Sequence, residues 1–370
     1  MNQPDPVAAA MIRNAAGSLA GYAASDLLDS QPDWREALAA NAFTTWHGVL
    51  RNCAEELAAA LAAGRPQFFT AYAAWMQSLL TARGLPAGAL ASAVTCLAKV
   101  LAAELPAGAS AGAVRICEEA VRGLEHESPT LPRFLPTDTP HGRLAASYLL
   151  ALLEGDRSRA SRLILDALPD TSLPELYLQV LLPAQQEVGR MWQADEINVA
   201  EEHFATSTTK MVLAQLRSRA ALHAQNGKTL LAAAVTGNQH DVGLQMVADV
   251  FEMAGWRVIQ LGPDMPIPDL VQAVESYQPD LLALSVSLHP QLVTLAETIR
   301  AVRSGPHGAG VKILVGGRAL ADAPDLARQL GADGYATDLN TAVAVGQALV
   351  GLHSPGSTPA GQAASPQTTV

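Results

Sequence analysis

His240 lies in the segment VTGNQHDVGLQMV (residues 235–247), directly after the apolar run TLLAAAV and directly before an amphipathic stretch. This order predicts that the histidine lies in the loop between a buried strand and a helix. In open parallel sheets, ligands bind outside the carboxyl ends of the strands, where such loops lie. His240 is therefore a candidate ligand-contacting residue, although a histidine in this position is more often an ordinary polar loop residue.

Two other short motifs follow apolar runs in the same way. LSVS places Ser285 and Ser287 at the end of a third apolar run, and VGG places Gly316 and Gly317 at the end of a fourth. Serine hydroxyls donate hydrogen bonds to a ligand, and paired glycines let the backbone approach an inserted group closely. Because parallel strands end at one edge of the sheet, we expect these residues to face the same edge as His240.

From residue 228 onward, short apolar runs alternate with longer amphipathic segments. The predicted strands are TLLAAAV (229–235), RVIQL (257–261), LLALSV (281–286), VKILV (311–315) and GYAT (334–337). The predicted helices cover 242–255, 267–277, 291–303, 320–331 and 341–351. Five βα units predict a doubly wound, five-stranded parallel sheet of the flavodoxin type over residues 225–352.

The preceding part of the chain is rich in Ala and Leu at helical spacing. We predict an all-helical N-terminal domain over residues 1–125, a linker with four prolines over 126–142, and a four-helix bundle over 143–224. The low-complexity residues 353–370 are predicted to be disordered. The aromatic stretch RPQFFTAYAAWMQ and the upstream Trp46-His47 favour core packing, with a second chromophore or haem pocket as the alternative.

Composition limits the class of protein. The chain of 370 residues is 49% hydrophobic and 16% charged, with a formal net charge of −11. We expect a cytoplasmic protein, since no apolar run reaches the length of a membrane span and the N-terminal stretch is unlike a secretory signal. Residues 1–130 carry 8 Lys/Arg against 12 Asp/Glu, so we expect no direct contact with nucleic acid. The three cysteines lack metal-ligand spacing, which favours reduced thiols.

Taken together, the three motifs resemble the fingerprint of the cobalamin-binding module found in methionine synthases, mutases and corrinoid carriers. That fingerprint is Asp-x-His-x-x-Gly, then Ser-x-Leu, then Gly-Gly. The gaps are similar, with 41 residues between Gly243 and Ser285 and 28 between Ser287 and Gly316. The first element reads Asn238, Gln239, His240, Asp241, Val242 and Gly243, so Asn238 replaces the usual Asp, and Ser287 replaces the usual Leu.

The resemblance implies a role for each motif in holding cobalamin. His240 would be the lower axial ligand of cobalt, replacing the nucleotide base of the cofactor. The displaced tail would enter the sheet beside Ser285, Ser287 and the Gly316-Gly317 pair. A neutral imidazole suits a borderline transition metal and needs a partner that fixes its tautomer. Asn238 is the candidate partner, and as an amide it cannot hold a proton as a carboxylate does.

A further pattern lies in the predicted bundle, where Trp192 is followed after nine residues by Glu202-His203, with Val199 between them. Read alone, this segment is an ordinary amphipathic hairpin with Asn198 as a helix N-cap. Beside a cobalamin module it is similar to the adenosylcobalamin-dependent photoreceptors of the CarH type, in which these residues cap the upper, adenosyl face. Methyl-carrier corrinoid proteins tend to lack the Trp and the Glu-His pair.

The chain departs from that photoreceptor pattern at two places. Gln193 stands where some of these proteins carry a second histidine, which puts bis-histidine capture of the light product in doubt, and the DNA-binding helix-turn-helix is missing. The resemblance therefore implies a non-catalytic sensor that binds adenosylcobalamin, with methylcobalamin and hydroxocobalamin as other forms. Its output would pass through the N-terminal domain to a regulator or signalling protein, or through a homo-oligomer. The alternatives are a corrinoid methyl carrier of a methyltransferase system and a light-indifferent cobalamin sensor or storage protein.

Overall fold

In the computed structural model, which describes residues 3–32, 34, 41–86, 88–124, 134–136 and 138–352, the described part of the N-terminal domain contains five long helices. These helices are α1 (Pro6–Ser30), α2 (Ala42–Ala63), α3 (Pro66–Ala82), α4 (Ala89–Glu104) and α5 (Ala107–Leu124). The carboxylate of Asp5 caps α1, and Gly64 ends α2 in the left-handed conformation at φ 63°. The aromatic residues Trp46, Phe68 and Phe69 are fully buried among the helices, which supports their interpretation as core.

A bundle of four helices follows. These are α6 (Pro140–Leu153), α7 (Arg157–Ala167), α8 and α9 (Val199–Arg217). Helix α8 is one continuous helix made of Leu173–Leu176, a π-helical turn over Tyr177–Leu181, and Leu182–Gln193. Helix α6 begins three residues inside the segment expected to be linker, because Thr139 caps it and Pro140 occupies its first turn. Most of the predicted linker, 126–142, and the whole predicted tail, 353–370, lie outside the described residues.

The C-terminal half forms one five-stranded parallel sheet, as the sequence predicts. Its strands are β1 (Thr229–Val235), β2 (Arg257–Met265), β3 (Leu281–Ser285), β4 (Lys312–Gly316) and β5 (Gly334–Ala336), in the order β2-β1-β3-β4-β5. Strand β2 runs four residues beyond its predicted end, with register shifts against β1 that allow the extension. The sheet order reverses direction at β1, so the β1 and β3 ends flank the topological switch point.

The helices of this domain are α10 (Val242–Met253), α11 (Ile267–Tyr277), α12 (Gln291–Ser304), α13 (Asp325–Gln329) and α14 (Leu339–Leu349). The helix predicted over 320–331 is wrong in length. A 3-10 turn over Arg318–Leu320 comes first, and α13 starts only after Pro324, since proline favours the first helical turn over the interior of a helix.

Alternate residues of β1 belong to two different hydrophobic clusters, because side chains along a strand point to opposite faces. Leu230 and Ala232 pack with α10 and α14, whereas Leu231 and Ala233 belong to the cluster formed by α11, α12 and α13. The bundle packs on the first face through Met246 of α10. The N-terminal domain shares a continuous hydrophobic cluster with the second face. No described helix is both long and apolar enough to cross a membrane.

Candidate functional site

His240 lies in the loop between β1 and α10, with an exposed side chain at the carboxyl edge of the sheet. Its imidazole has no hydrogen-bond partner among the described residues. Asn238 is fully buried, and its Oδ1 accepts from the backbone N–H of His240 at 3.1 Å, while its Nδ2 donates to the carbonyl of Ser285 at 3.0 Å. The amide thus fixes the backbone of the loop to β3. The structure does not show the predicted contact between Asn238 and the ring of His240.

Two residues that the motifs did not single out hold the same loop. Asp264, at the extended end of β2, accepts from the backbone N–H of Gly237 at 2.7 Å and from the amide of Gln239 at 3.0 Å. Its φ of 52° is unusual for a residue with a side chain. Gln291 is buried, and its Nε2 donates to the carbonyl of Gly237 at 3.0 Å. The His240 loop is therefore held by β2 on one side and by the start of α12 on the other.

The predicted tail pocket is assembled at the ends of β3 and β4. Ser285 and Ser287 are half-buried, and the backbone N–H of Val286 between them donates to the carbonyl of Gly316 at 3.0 Å. Gly317 has a φ of 112°, and a Cβ at this position would lie 2.0 Å from the carbonyl oxygen of Val286. A side chain at Gly317 would therefore clash with backbone, which explains the need for glycine. The residues predicted to hold cobalt and the tail therefore lie at one edge of the sheet. They are His240, Ser285, Ser287, Gly316 and Gly317, and we call them the lower wall.

The residues predicted to cap the upper face lie where α8 meets α9, and we call them the upper wall. They are Trp192, Val199, Glu202 and His203. Trp192 is half-buried near the end of α8, Val199 is 54% exposed at the start of α9, and the side chain of His203 is 68% exposed. Asn198 caps α9, accepting from the backbone N–H of Ala200 at 2.8 Å, so the hairpin interpretation of this segment is confirmed. The cap and the exposed side chains occupy the same turn, so a structural role does not prevent a ligand role.

Glu202 is connected to the interior of the bundle by a chain of polar side chains. Thr206 Oγ1 donates to Glu202 Oε1 at 2.7 Å and lies 3.2 Å from Gln185 Oε1. Gln185 Nε2 donates to Thr209 Oγ1 at 2.7 Å, and this oxygen is 2.8 Å from the buried hydroxyl of Tyr148. Since each contact fixes the next side chain, the carboxylate of Glu202 has a defined position at the open end of the bundle.

The bundle and the sheet are joined by polar contacts next to the His240 loop. Lys210 Nζ, two turns beyond Glu202 on α9, lies 2.5 Å from Oδ1 of the buried Asp241. Further along the interface, the hydroxyl of Tyr177 donates to Asp249 Oδ2 at 2.7 Å. Burial raises the pKa of Asp249 to about 6, because the desolvation of the carboxylate outweighs the opposing hydrogen bond from Tyr177. The Lys210 contact thus connects α9 to the His240 loop, and the Tyr177 contact connects α8 to α10.

Comparison with known proteins identifies both halves of this arrangement. A B12 binding domain model matches residues 228–344, and a second B12 binding domain model matches residues 144–217. Over residues 144–344 the chain therefore belongs to the cobalamin-binding module family. Both matches begin after the N-terminal helical domain.

The relatives fall into two kinds. A corrinoid protein of Desulfitobacterium hafniense (strain Y51), DSY3155, is 26% identical over 207 residues, which are 54% of this chain and 94% of that protein. The HTH-type transcriptional repressor CarH of Myxococcus xanthus is 29% identical over 184 residues, covering 49% of this chain and 60% of the repressor. The solved structure of the Methanosarcina barkeri monomethylamine corrinoid protein aligns with a TM-score of 0.47 at 18% identity, over 55% of this chain and 96% of that one.

The lower wall suits cobalamin on its own geometry. A single exposed imidazole offers one nitrogen ligand from a loop whose backbone is fixed by Asn238 and Asp264. Beside it, the close approach at Gly317 leaves no room for a side chain between the ends of β3 and β4. The protein is a cobalamin-binding protein, and we propose His240, Ser285, Ser287 and the glycine pair as the residues that would hold the cofactor.

Proposed function

We propose that this chain is a light sensor that uses adenosylcobalamin, and that it passes its signal through conformational change to a partner protein. The supporting observation is the α8–α9 turn, where Trp192, Val199 and the Glu202-His203 pair present partly exposed side chains at one end of the matched bundle. The proposal is also supported by the 29% identity to the CarH repressor over 49% of this chain. Catalysis is not required for this role.

The residues have separate tasks in this proposal. His240 would hold the cobalt, and Ser285, Ser287 and the Gly316-Gly317 pair would hold the nucleotide tail. Adenosylcobalamin, when bound, supplies a cobalt–carbon bond that light can break. Trp192 and Val199 offer apolar contact to a large upper group, and Glu202 adds a carboxylate whose position is fixed by Thr206.

Loss of the upper group would leave Trp192 and Val199 without their apolar contacts. An unrelaxed apolar cavity costs about 24 cal/mol per Å³. The free energy of the protein is therefore lowered when the turn moves or when water enters. Two ligand states that contact the protein differently are the requirement for a population shift. We therefore expect α8 and α9 to move relative to the sheet when the upper group is lost.

A second function, a corrinoid methyl carrier, is favoured by the similarity to the Desulfitobacterium protein, which spans nearly all of that relative. A carrier needs an upper face open to a methyltransferase, with a preference for a small upper group. A sensor of the proposed kind needs the opposite preference. The relative affinity for adenosylcobalamin and methylcobalamin therefore distinguishes the two functions.

The test is to add adenosylcobalamin to the purified protein in darkness and to record the absorption spectrum before and after green light. We expect tighter binding than for methylcobalamin, photolysis at low light dose, and a change in hydrodynamic size or in protease cleavage within residues 126–203. Complete photolysis with identical size-exclusion and proteolysis profiles would exclude a conformational photoswitch. Equal affinities for the two cofactors would favour the carrier.

A further inference from the structure

The N-terminal domain touches the upper wall of the cobalamin site at the end of α3. Arg83, the residue that follows α3, donates to the carbonyl of Trp192 at 3.2 Å and to the carbonyl of Gln193 at 3.3 Å. Its guanidinium also lies 5.1 Å from the centroid of the Trp192 ring. A cation is favoured at this place, because the carbonyls at a helix C-terminus carry partial negative charge. Arg83 therefore holds both the backbone and the indole of Trp192.

A second contact strengthens this attachment. Gln193 is buried, and its Nε2 donates to Ser78 Oγ at 2.6 Å and lies 3.3 Å from the carbonyl of Trp75. Groups of α3 thus satisfy the amide nitrogen of Gln193, and no group of the bundle does so among the described residues. Leaving a buried polar group without a hydrogen-bond partner destabilises the folded protein. The contacts of Gln193 therefore anchor the end of α8 to α3.

The opposite end of α3 is attached to the sheet domain, next to the predicted tail pocket. The ring of Phe68 stacks on the imidazole of His289 with 3.9 Å between centroids and 5° between planes. The Nδ1 atom of the same imidazole lies 3.2 Å from Oε2 of Glu56, a buried residue of α2. Arg65, just before α3, pairs with Asp325 at the start of α13. His289 follows Ser287 by two residues, so the contacts of Phe68 and Glu56 with His289 hold the loop beside the predicted tail pocket.

We propose that α3 is a strut that couples the two walls of the cobalamin site and makes the N-terminal domain the reader of the bound upper group. The helix has 17 residues and spans about 25 Å, with one end fixed to the Trp192 turn and the other to the His289 loop. A shift of the bundle relative to the sheet must either break the Arg83 and Gln193 contacts or move α3. Arg83 is thus a positioning residue for Trp192. The proposal rests on the proposed sensor function only for the nature of the signal.

The experiment uses the full chain and needs no light. Hydrogen exchange would be followed by mass spectrometry in darkness for the free protein, for the hydroxocobalamin complex and for the adenosylcobalamin complex. In the wild-type protein, we expect the two cobalamins to give different exchange in residues 188–203 and also in residues 66–83. In Arg83→Ala, exchange near residues 192–195 should be about tenfold faster, and α3 should stop distinguishing the two cobalamins.

The control variant is Arg51→Ala, whose arginine pairs only with Glu55 on its own helix in the described contacts. It should leave the response of α3 intact. Arg83→Lys keeps the charge but not the planar set of donors, so it should restore part of the response. Ser78→Ala removes the acceptor of the Gln193 amide and should weaken the contact between α3 and α8 less than Arg83→Ala does. The preference for adenosylcobalamin over hydroxocobalamin should fall in Arg83→Ala and stay unchanged in Arg51→Ala.

The outcomes separate this proposal from the proposed function. If the cobalamins change exchange in residues 188–203 but never in 66–83, the strut is excluded while a sensor with another output stands. If α3 responds to the two cobalamins but illumination alters nothing beyond the spectrum, the light-sensing function fails and the strut stands. An unchanged α3 response in both Arg83→Ala and Ser78→Ala would also exclude the strut.

Discussion

The two walls of the cobalamin site are built differently. In the lower wall, short hydrogen bonds within one domain fix the backbone of the His240 loop, with Asn238 and Gln291 both buried. In the upper wall, Trp192 and Val199 lie at the turn between two helices and are partly exposed. The Asn198 cap holds this turn from within the bundle, and Arg83 and Ser78 of the N-terminal domain hold it from outside. The lower wall is thus set mainly by its own domain, whereas the upper wall shares its contacts with a neighbouring domain.

This difference separates two requirements of a ligand-reporting protein. Retention of the cofactor needs a preformed site, since ordering a loop on binding costs conformational entropy. A response to the state of the cofactor needs a part whose position is weakly determined by its own domain. The lower wall meets the first requirement and the upper wall meets the second. The four predictions that follow test this division, from the largest expected effect to the smallest.

The largest effect is expected for His240→Ala, which removes the proposed cobalt ligand from the rigid wall. We expect cobalamin affinity to fall by about 100-fold or more, with loss of the spectrum typical of histidine-bound cobalt, because loss of even a second-shell partner costs 10–100-fold at metal sites. Isothermal titration and absorption spectroscopy measure both. His223→Ala, at an exposed histidine outside the loop, is the control. Wild-type affinity in His240→Ala would remove the cobalt assignment.

The contact between the bundle and the sheet should depend on pH through Asp249. Its pKa is raised to about 6 in the folded protein, so the buried carboxylate destabilises the fold above pH 6, and this cost is removed as the pH falls from 6 towards 4. Asp249→Asn should raise the free energy of unfolding by about 2 kcal/mol at pH 7.5 and flatten its pH dependence between 4 and 7. Urea denaturation at several pH values measures this. A steeper pH dependence in the variant would contradict the assignment.

Asp264→Gly tests whether the lower wall is preformed. Glycine keeps the positive φ without strain, so the variant removes only the bonds to Gly237 and Gln239. We expect cobalamin affinity to fall by about tenfold, because the loss of these two charge-assisted hydrogen bonds leaves the free loop less ordered, and about 1.4 kcal/mol of added ordering cost corresponds to a tenfold change. Asp264→Asn, which retains an acceptor oxygen, should lose less. Equal affinity in all three proteins would mean that the loop is ordered by other contacts.

The smallest effect on total affinity is expected for Trp192→Ala in the upper wall. Hydroxocobalamin, with its small upper ligand, should bind nearly as in the wild type, whereas adenosylcobalamin should bind several-fold more weakly because it loses contact with the indole. The light-induced change in hydrodynamic size should also be reduced. Trp192→Phe should keep most of the selectivity. A parallel loss for both cofactors would show that Trp192 supports the fold and does not select the upper group.

The sequence predicted the sheet and its carboxyl edge well for a physical reason. The switch from helical to strand periodicity at residue 228 reports a sheet directly, and the strand ends then place His240, Ser285 and Gly316 at one edge. Strand β1 has the predicted bounds, whereas β2 extends to Met265 with register shifts against β1 and a positive φ at Asp264, features that no apolar pattern reports. Helix α13 is short because Pro324 limits its start.

Contacts between distant segments were beyond the reach of local patterns. Arg83 and Trp192 are 109 residues apart, and His289 and Glu56 are 233 residues apart. Neither pair has a periodic signal, and an arginine just after a helix looks like an ordinary C-terminal residue. The sequence predicts Gln291 only as the first residue of a helix, and this prediction gives no indication of its contact with Gly237. The orientation of the N-terminal domain could therefore be learned only from the assembled fold.

The π-helical turn of α8 sets the angular phase of the helix that carries Trp192. Tyr177, which reaches Asp249 on the sheet domain, begins this turn, and the N–H of Leu182 donates five residues back to its carbonyl. Trp192, held by Arg83, comes after the turn. Because one residue of an α-helix corresponds to about 100° of rotation, the same sequence wound as an uninterrupted α-helix would turn the indole away from Arg83, whereas the π-helical turn takes up the extra residue. One inserted residue thus lets the same helix face two different domains.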